Sequence, residues 1–80
     1  MAESSVALIE KLERARTELD AGKLSAAIGA LGDIVVSTRD PELLRQVRAL
    51  AEEGLAKAGR FGKGPWKSTL AEAEKRLNGA

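Results

Sequence analysis

The sequence predicts an all-α fold, a four-helix array of antiparallel hairpins, and two observations support that prediction. Apolar residues recur every three or four positions along most of the chain, which is the period of an α-helix. Residues that end or begin helices interrupt this period at three short segments, so successive helices should fold back on one another. The predicted helices cover about residues 5–21, 24–37, 41–58 and 65–78.

The first helix is predicted to begin near Ser4 or Ser5, because a serine side chain can accept a hydrogen bond from a free N–H group of the first turn. Gly22 is expected to end it in the left-handed conformation that glycine adopts readily. Leu8, and Leu44 in the third helix, lie beside the main apolar stripes, so we expect them to be exposed and available for weak self-association. The stripe of the first helix is Val6, Ile9, Leu12, Ala15 or Arg16, and Leu19.

The second helix is predicted to be the central one, because no charged residue lies between Lys23 and Asp33. A helix that is apolar or small on most of its surface is buried on most of its surface. Each helical glycine costs about 1 kcal/mol relative to alanine, so we expect Gly29 and Gly32 to contact a neighbouring helix. On that interpretation Gly32→Leu overpacks the fold and destabilises it by about 1–3 kcal/mol. The stripe of mostly small residues is Ser25, Gly29, Gly32 and Val36.

The third helix has a strong start signal, since Asp40 can cap it and Pro41 suits its first position. Gly59 is expected to end the helix. Arg48 and Glu52 lie one turn apart on its outer face and are expected to pair. Its predicted apolar face is Leu43 or Leu44, Val47, Leu50 or Ala51, Leu55 and Ala58.

The segment 59–66 is rich in glycine and holds both aromatic residues, which is typical of an ordered loop. Pro65 is expected to begin the fourth helix. We expect the rings of Phe61 and Trp66 to pack against the first three helices and to hold the fourth helix in place. The apolar stripe of the fourth helix is Trp66, Leu70, Ala73 and Leu77.

Composition narrows the possible functions of the chain. Its 80 residues correspond to one domain, 1–80. The absence of cysteine excludes disulfides and thiolate metal sites, and the absence of histidine removes the usual general base and the commonest metal ligand. Carboxylate pairs such as Glu52 and Glu53 are typical of solvated helix faces. We therefore expect no enzyme, no catalytic residue, no cofactor and no metal.

The ends of the chain and its hydropathy give an expectation for location. The N-terminus lacks the basic start and apolar run of a signal peptide. No apolar stretch approaches the length of a membrane span. We expect a cytoplasmic protein that does not use a membrane.

Charge is distributed unevenly along the chain. Residues 1–53 carry a net charge of about −3, and residues 54–80 carry about +4. The cations of the basic segment cluster around the glycine-rich loop, where an aromatic ring could also stack on a base. Gly62-Lys63-Gly64 does not match the phosphate-binding loop of nucleotide hydrolases, which follows a strand and continues with Ser or Thr. The candidate binding residues are Lys57, Arg60, Phe61, Lys63, Trp66 and Lys67.

Two functions are compatible with this sequence. The first is a non-catalytic protein-interaction module, of the kind found in small regulators and assembly factors, that binds another protein and is itself a monomer or a weak homodimer. The alternative is a nucleic-acid-associated protein that uses the basic loop and the start of the last helix. The sequence pI of 8.1 is below the range of dedicated nucleic-acid binders and favours the first.

Overall fold

A computed structural model describes residues 5–60 and 62–79 of the chain. It contains the helices α1 (Ser5–Asp20), α2 (Leu24–Ser37), α3 (Pro41–Lys57) and α4 (Lys63–Gly79). No strand occurs in these two ranges. The predicted all-α fold with four helices is confirmed.

The helices pack as two hairpins, α1 with α2 and α3 with α4. Helix α2 contacts all three other helices, as the prediction of a central helix requires, but α3 does so too. In the described ranges α1 and α4 do not touch. The two middle helices therefore share the core, and α1 and α4 flank them.

Gly22 ends α1 as predicted, with a φ of 81°. Its N–H donates to the carbonyl of Leu19 at 3.1 Å, and the N–H of Lys23 donates to the carbonyl of Glu18 at 2.8 Å. This pair of hydrogen bonds is the Schellman motif, which satisfies carbonyls at a helix end and needs a left-handed residue. The α1–α2 turn is thus determined locally.

The start of α3 also follows the sequence. The N–H of Glu42 donates to the Asp40 carboxylate at 2.9 Å, and Pro41 occupies the first turn. The Asp40 N–H donates in turn to the Thr38 hydroxyl at 3.1 Å. Asp40 therefore caps α3 as predicted. Thr38, which is 5% exposed, holds the backbone of the segment that leads into this cap.

Four predicted helix bounds differ from the structure by one or two residues. Helix α1 ends at Asp20 instead of Ala21, and α4 ends at Gly79 instead of Asn78. The other two differences lie on either side of the glycine-rich loop.

The chain leaves α3 at Ala58, which is extended and donates its N–H to the Gly54 carbonyl at 2.7 Å, so the helix ends one residue before the predicted bound and before Gly59. Helix α4 begins at Lys63, two residues before Pro65. Because the first four N–H groups of a helix have no partner within it, proline is tolerated throughout the first turn and does not mark the first residue.

The apolar face of α1 is rotated from the predicted one. Leu8 is buried at 3% exposure, whereas Val6 and Ile9 remain 65% and 44% exposed. Both patterns share Leu12 and Leu19, and the choice between them depends on where α2 and α3 lie. Leu44 is also buried, at 1% exposure, because α3 is covered by neighbours on more than one side. The predicted exposure of Leu8 and Leu44 is wrong, so they cannot form a patch for self-association.

The stripe of small residues on α2 is open, which corrects the prediction of close helix contact. Ser25 and Gly29 are exposed, Gly32 is half-buried and Val36 is 63% exposed. Apart from the adjoining residues and backbone of its own helix, a Cβ added at Gly29 or Gly32 would meet no heavy atom of the described chain within 4 Å. These glycines therefore lower helix propensity without a packing reason.

This openness reverses the expected effect of a substitution at Gly32. Gly32→Ala should raise the free energy of unfolding by about 0.5–1 kcal/mol, because alanine loses less backbone entropy on folding and its methyl group has room. Urea unfolding followed by circular dichroism measures the change. A loss of stability would restore the hypothesis of a close helix contact.

Candidate interaction surfaces

The predicted basic cluster presents its cations to solvent. Lys57, Arg60, Lys63 and Lys67 are all exposed, and Lys63 and Lys67 lie one turn apart on α4. The Lys57 ammonium group also lies 3.5 Å from the Leu19 carbonyl, at the C-terminal end of α1 where the helix dipole favours a cation. Phe61, another of the six predicted binding residues, lies outside the described residues.

Trp66 belongs to the core, as its predicted packing requires. Its side chain is only 2% exposed, so it offers little surface for stacking on a ligand. The indole ring lies directly on Gly54 of α3, where an added Cβ would come closer than 3.0 Å to Cζ3, Cε3 and Cη2. The close approach predicted at Gly29 and Gly32 therefore occurs at Gly54. The binding potential of this region rests on its cations.

A second basic area lines a cavity between the α2–α3 connection and the C-terminal half of α4. This cavity has a volume of about 480 Å³. The Arg76 guanidinium is already engaged, since its Nε lies 3.2 Å from the Glu72 carboxylate. Arg39 and Lys75 are exposed and form no ion pair with another described residue. Cations thus occur near both ends of α4.

A third concave surface is a groove between α1 and α3, of about 630 Å³. Its floor is apolar, formed by Leu12 and Leu50, which are 6% and 8% exposed, together with the exposed Ala49. The groove is open to solvent along its length because α4 packs on other faces of the bundle. Polar side chains form its walls, namely Glu13, Arg16 and Thr17 of α1 and Gln46, Glu52 and Glu53 of α3.

The two helices that form the walls of this α1–α3 groove, α1 and α3, run parallel to each other. Arg16 donates a hydrogen bond to Glu53, and one turn further on the Leu19 carbonyl faces Lys57. The Arg16–Glu53 ion pair joins the two walls in the C-terminal halves of α1 and α3. On the N-terminal side of this pair, Ile9 lies one turn before Glu13 and adds exposed apolar surface.

The charge of the α1–α3 groove is negative. Its walls carry three carboxylates and one guanidinium. The guanidinium of Arg16 is shared between Glu53 and Asp20, whose Oδ2 lies 3.9 Å from Nε. Glu13 and Glu52, on opposite walls, form no ion pair within residues 5–60 and 62–79. The predicted pairing of Arg48 with Glu52 does not occur in those residues, so the Glu52 carboxylate remains available.

This groove was not predicted, because the sequence pattern marks only which residues belong on a helix surface. Glu13 and Glu52 look like ordinary solvated acids in the sequence. Their alignment across a shared apolar floor depends on the distance and direction of α1 and α3. The signal available in the sequence was the competition between Leu8 and Ile9 for the buried stripe of α1, and in the structure Ile9 is the one left exposed.

The described residues contain no group of three acids placed to hold a metal ion. A separate search of the same residues for membrane-spanning helices found none of sufficient length and apolar character. Comparison with protein-family models, with curated proteins and with solved structures found no match for this chain. Function must therefore be inferred from the surfaces themselves.

Proposed function

We propose that this chain is a non-catalytic protein-interaction module that binds another protein in the α1–α3 groove. The observation that carries the proposal is the groove itself, whose apolar floor of Leu12, Ala49 and Leu50 lies between polar walls. An apolar centre with a polar rim is the usual anatomy of a protein–protein interface. In this proposal the chain acts in the cytoplasm as a monomer, and both points remain predictions.

The exposed apolar residues beside the groove support the same proposal. Exposed Ile9 lies one turn before the wall residue Glu13, and exposed Val6 lies one turn further toward the N-terminus of α1. Contiguous apolar surface with a polar rim is typical of a binding site on a soluble domain. The partner would cover Ile9 together with the floor.

Photo-crosslinking tests the proposal at one residue of the floor. Ala49→p-benzoylphenylalanine places a photoreactive side chain in the groove, and Ala26→p-benzoylphenylalanine places it on the exposed face of α2 as the matched control. In cells of the native host, the Ala49 position should yield discrete crosslinked proteins that the Ala26 position does not yield. Excess unlabelled chain should compete with the crosslinking, and unlabelled Ala49→Arg chain should not, since a buried guanidinium would oppose docking.

Other outcomes would contradict the proposal in distinct ways. Equal labelling from both positions, or labelling from Ala26 alone, would remove the groove as the binding surface. A product with twice the mass of the chain would indicate a homodimer instead of a complex with another protein.

Nucleic-acid binding is the second candidate function, favoured by the exposed cations Lys57, Arg60, Lys63 and Lys67. A mobility shift on generic DNA and RNA, repeated over a range of salt concentrations, tests it. If these side chains bind phosphates, Lys63→Gln/Lys67→Gln should lower the slope of log affinity against log salt by about 2. The protein-interaction proposal predicts no retardation at physiological salt.

A further inference from the structure

We infer that the α1–α3 groove takes a basic amphipathic helix of the partner protein. The inference rests on the proposed function and specifies the chemistry of the occupant. Three features of the groove carry it: the charge of its walls, the form of its floor and the secondary structure on either side.

The walls select positive charge. Glu13 on α1 and Glu52 on α3 face solvent from opposite sides of the floor, and neither carboxylate is neutralised by an ion pair in the described part of the chain. A ligand with lysine or arginine on both flanks of an apolar stripe would place a cation near each carboxylate. An acidic ligand would bring like charges together, which opposes binding.

The floor and walls favour a helix over an extended strand. Side chains of two α-helices line the groove, and their backbone N–H and C=O groups are used within the helices. A bound strand would need an exposed sheet edge for its own backbone hydrogen bonds, and the described chain has no strand. A bound helix satisfies its backbone internally and needs only an apolar stripe to lay on Leu12, Ala49 and Leu50.

A second copy of this chain does not fit the groove as an occupant. Two copies related by a two-fold axis at this surface would bring their carboxylates toward each other, since such an interface uses the same patch on both subunits. The basic element of the chain, α4, has already turned Trp66 and Ala73 into the core, and its exposed face carries Lys63 and Lys67 instead of apolar anchors. The occupant is therefore a different protein.

The ion pair across the groove sets the position of the occupant. The Arg16–Glu53 pair spans the walls in the C-terminal halves of α1 and α3, whereas Ile9 lies exposed one turn before Glu13 on the N-terminal side. The apolar residue at one end of the bound stripe would lie on Ile9. The apolar residues one and two turns further along the bound helix would lie on the floor between Leu12 and Leu50. This requires apolar residues spaced by three or four over about two to three turns.

Selection from a random peptide library tests the inference without knowledge of the partner. The probe is the best binder recovered from phage-displayed peptides of about 16 residues, long enough for four helical turns. It is then synthesised with a fluorophore, and its affinity is measured by anisotropy against the whole chain. We expect enriched peptides with a helical apolar stripe flanked by lysine or arginine.

Three variants locate the binding and identify the role of charge. Ala49→Arg should weaken the probe by about tenfold or more, because it places a cation in the floor against a basic ligand. Glu13→Gln/Glu52→Gln should weaken it by about fivefold, in line with two exposed ion pairs. Glu10→Gln/Glu74→Gln removes the same number of charges from exposed positions outside the groove and should leave the affinity unchanged. Circular dichroism checks that each variant is folded.

Failure of this inference can be separated from failure of the proposed function. Peptides that lose affinity with Ala49→Arg but lack basic flanks, or that are insensitive to Glu13→Gln/Glu52→Gln, would overturn the inference and leave the groove as a binding site. The absence of any enriched peptide, or binding that Ala49→Arg does not affect, would also overturn it. The proposed function itself is decided by the crosslinking experiment: it fails if Ala49 captures no other protein, if Ala26 labels equally or alone, or if the product is a homodimer.

Discussion

Trp66→Ala should lower the free energy of unfolding by about 3–5 kcal/mol, the range for removing a large buried aromatic side chain. The indole is 2% exposed and lies between α3 and α4, in a core that also includes Ala58 and Ala73. Few other large side chains hold α4, since Leu70 and Leu77 are only half-buried. The free energy of unfolding of a domain of this size exceeds this loss by only a few kcal/mol, so the variant should be near its unfolding midpoint in water.

Urea unfolding followed by circular dichroism is the suitable measurement, because Trp66→Ala removes the only tryptophan. Lys67→Ala is the control, since Lys67 is the exposed neighbour on the same helix and should change stability by no more than about 0.5 kcal/mol. The wild-type chain, which has no tyrosine, should show blue-shifted emission that resists quenching. An emission like that of free indole in water, with unchanged stability in Trp66→Ala, would contradict the buried ring.

The helix ends that were predicted well are determined by local chemistry. Gly22 has the left-handed conformation that its position requires, and Asp40 accepts the hydrogen bond that caps α3. Each depends on a few neighbouring residues, which the sequence displays directly. Pro65 was less informative, because a proline fits any position of a first helical turn.

The parts that were predicted wrongly depend on how helices face one another. Leu8 and Ile9 both fit an apolar stripe with Leu12, and only the position of the neighbouring helices buries the first and exposes the second. The role of the glycines likewise depends on the neighbouring helices, since each of Gly29, Gly32 and Gly54 lowers helix propensity by the same amount. Only the packing of Trp66 shows which of the three is needed.

The two candidate surfaces also differ in how far the sequence could predict them. The exposed cations Lys63 and Lys67 could be named from the sequence, because a run of bases in a short segment stays together in any fold. The α1–α3 groove could not be named from the sequence. Glu13 and Glu52 are distant in the chain and line the same groove only because their helices lie parallel to each other. Whether either surface binds a partner stays a prediction.

Gly54→Ala should lower the free energy of unfolding by about 3 kcal/mol, at the upper end of the range for overpacking. The added methyl carbon would overlap three atoms of an indole ring that is itself enclosed, so α3 and α4 would have to move apart. Gly29→Ala, the matched control on α2, adds the same methyl group where no described atom lies within 4 Å and should raise stability by about 0.5–1 kcal/mol.

In a Trp66→Leu background Gly54→Ala should cost far less, because the colliding ring is gone and contacting residues couple strongly. Urea unfolding of all the variants measures both the opposite signs and the coupling. A stabilised Gly54→Ala chain, or an equal loss in the two backgrounds, would contradict the close packing of Trp66 on Gly54.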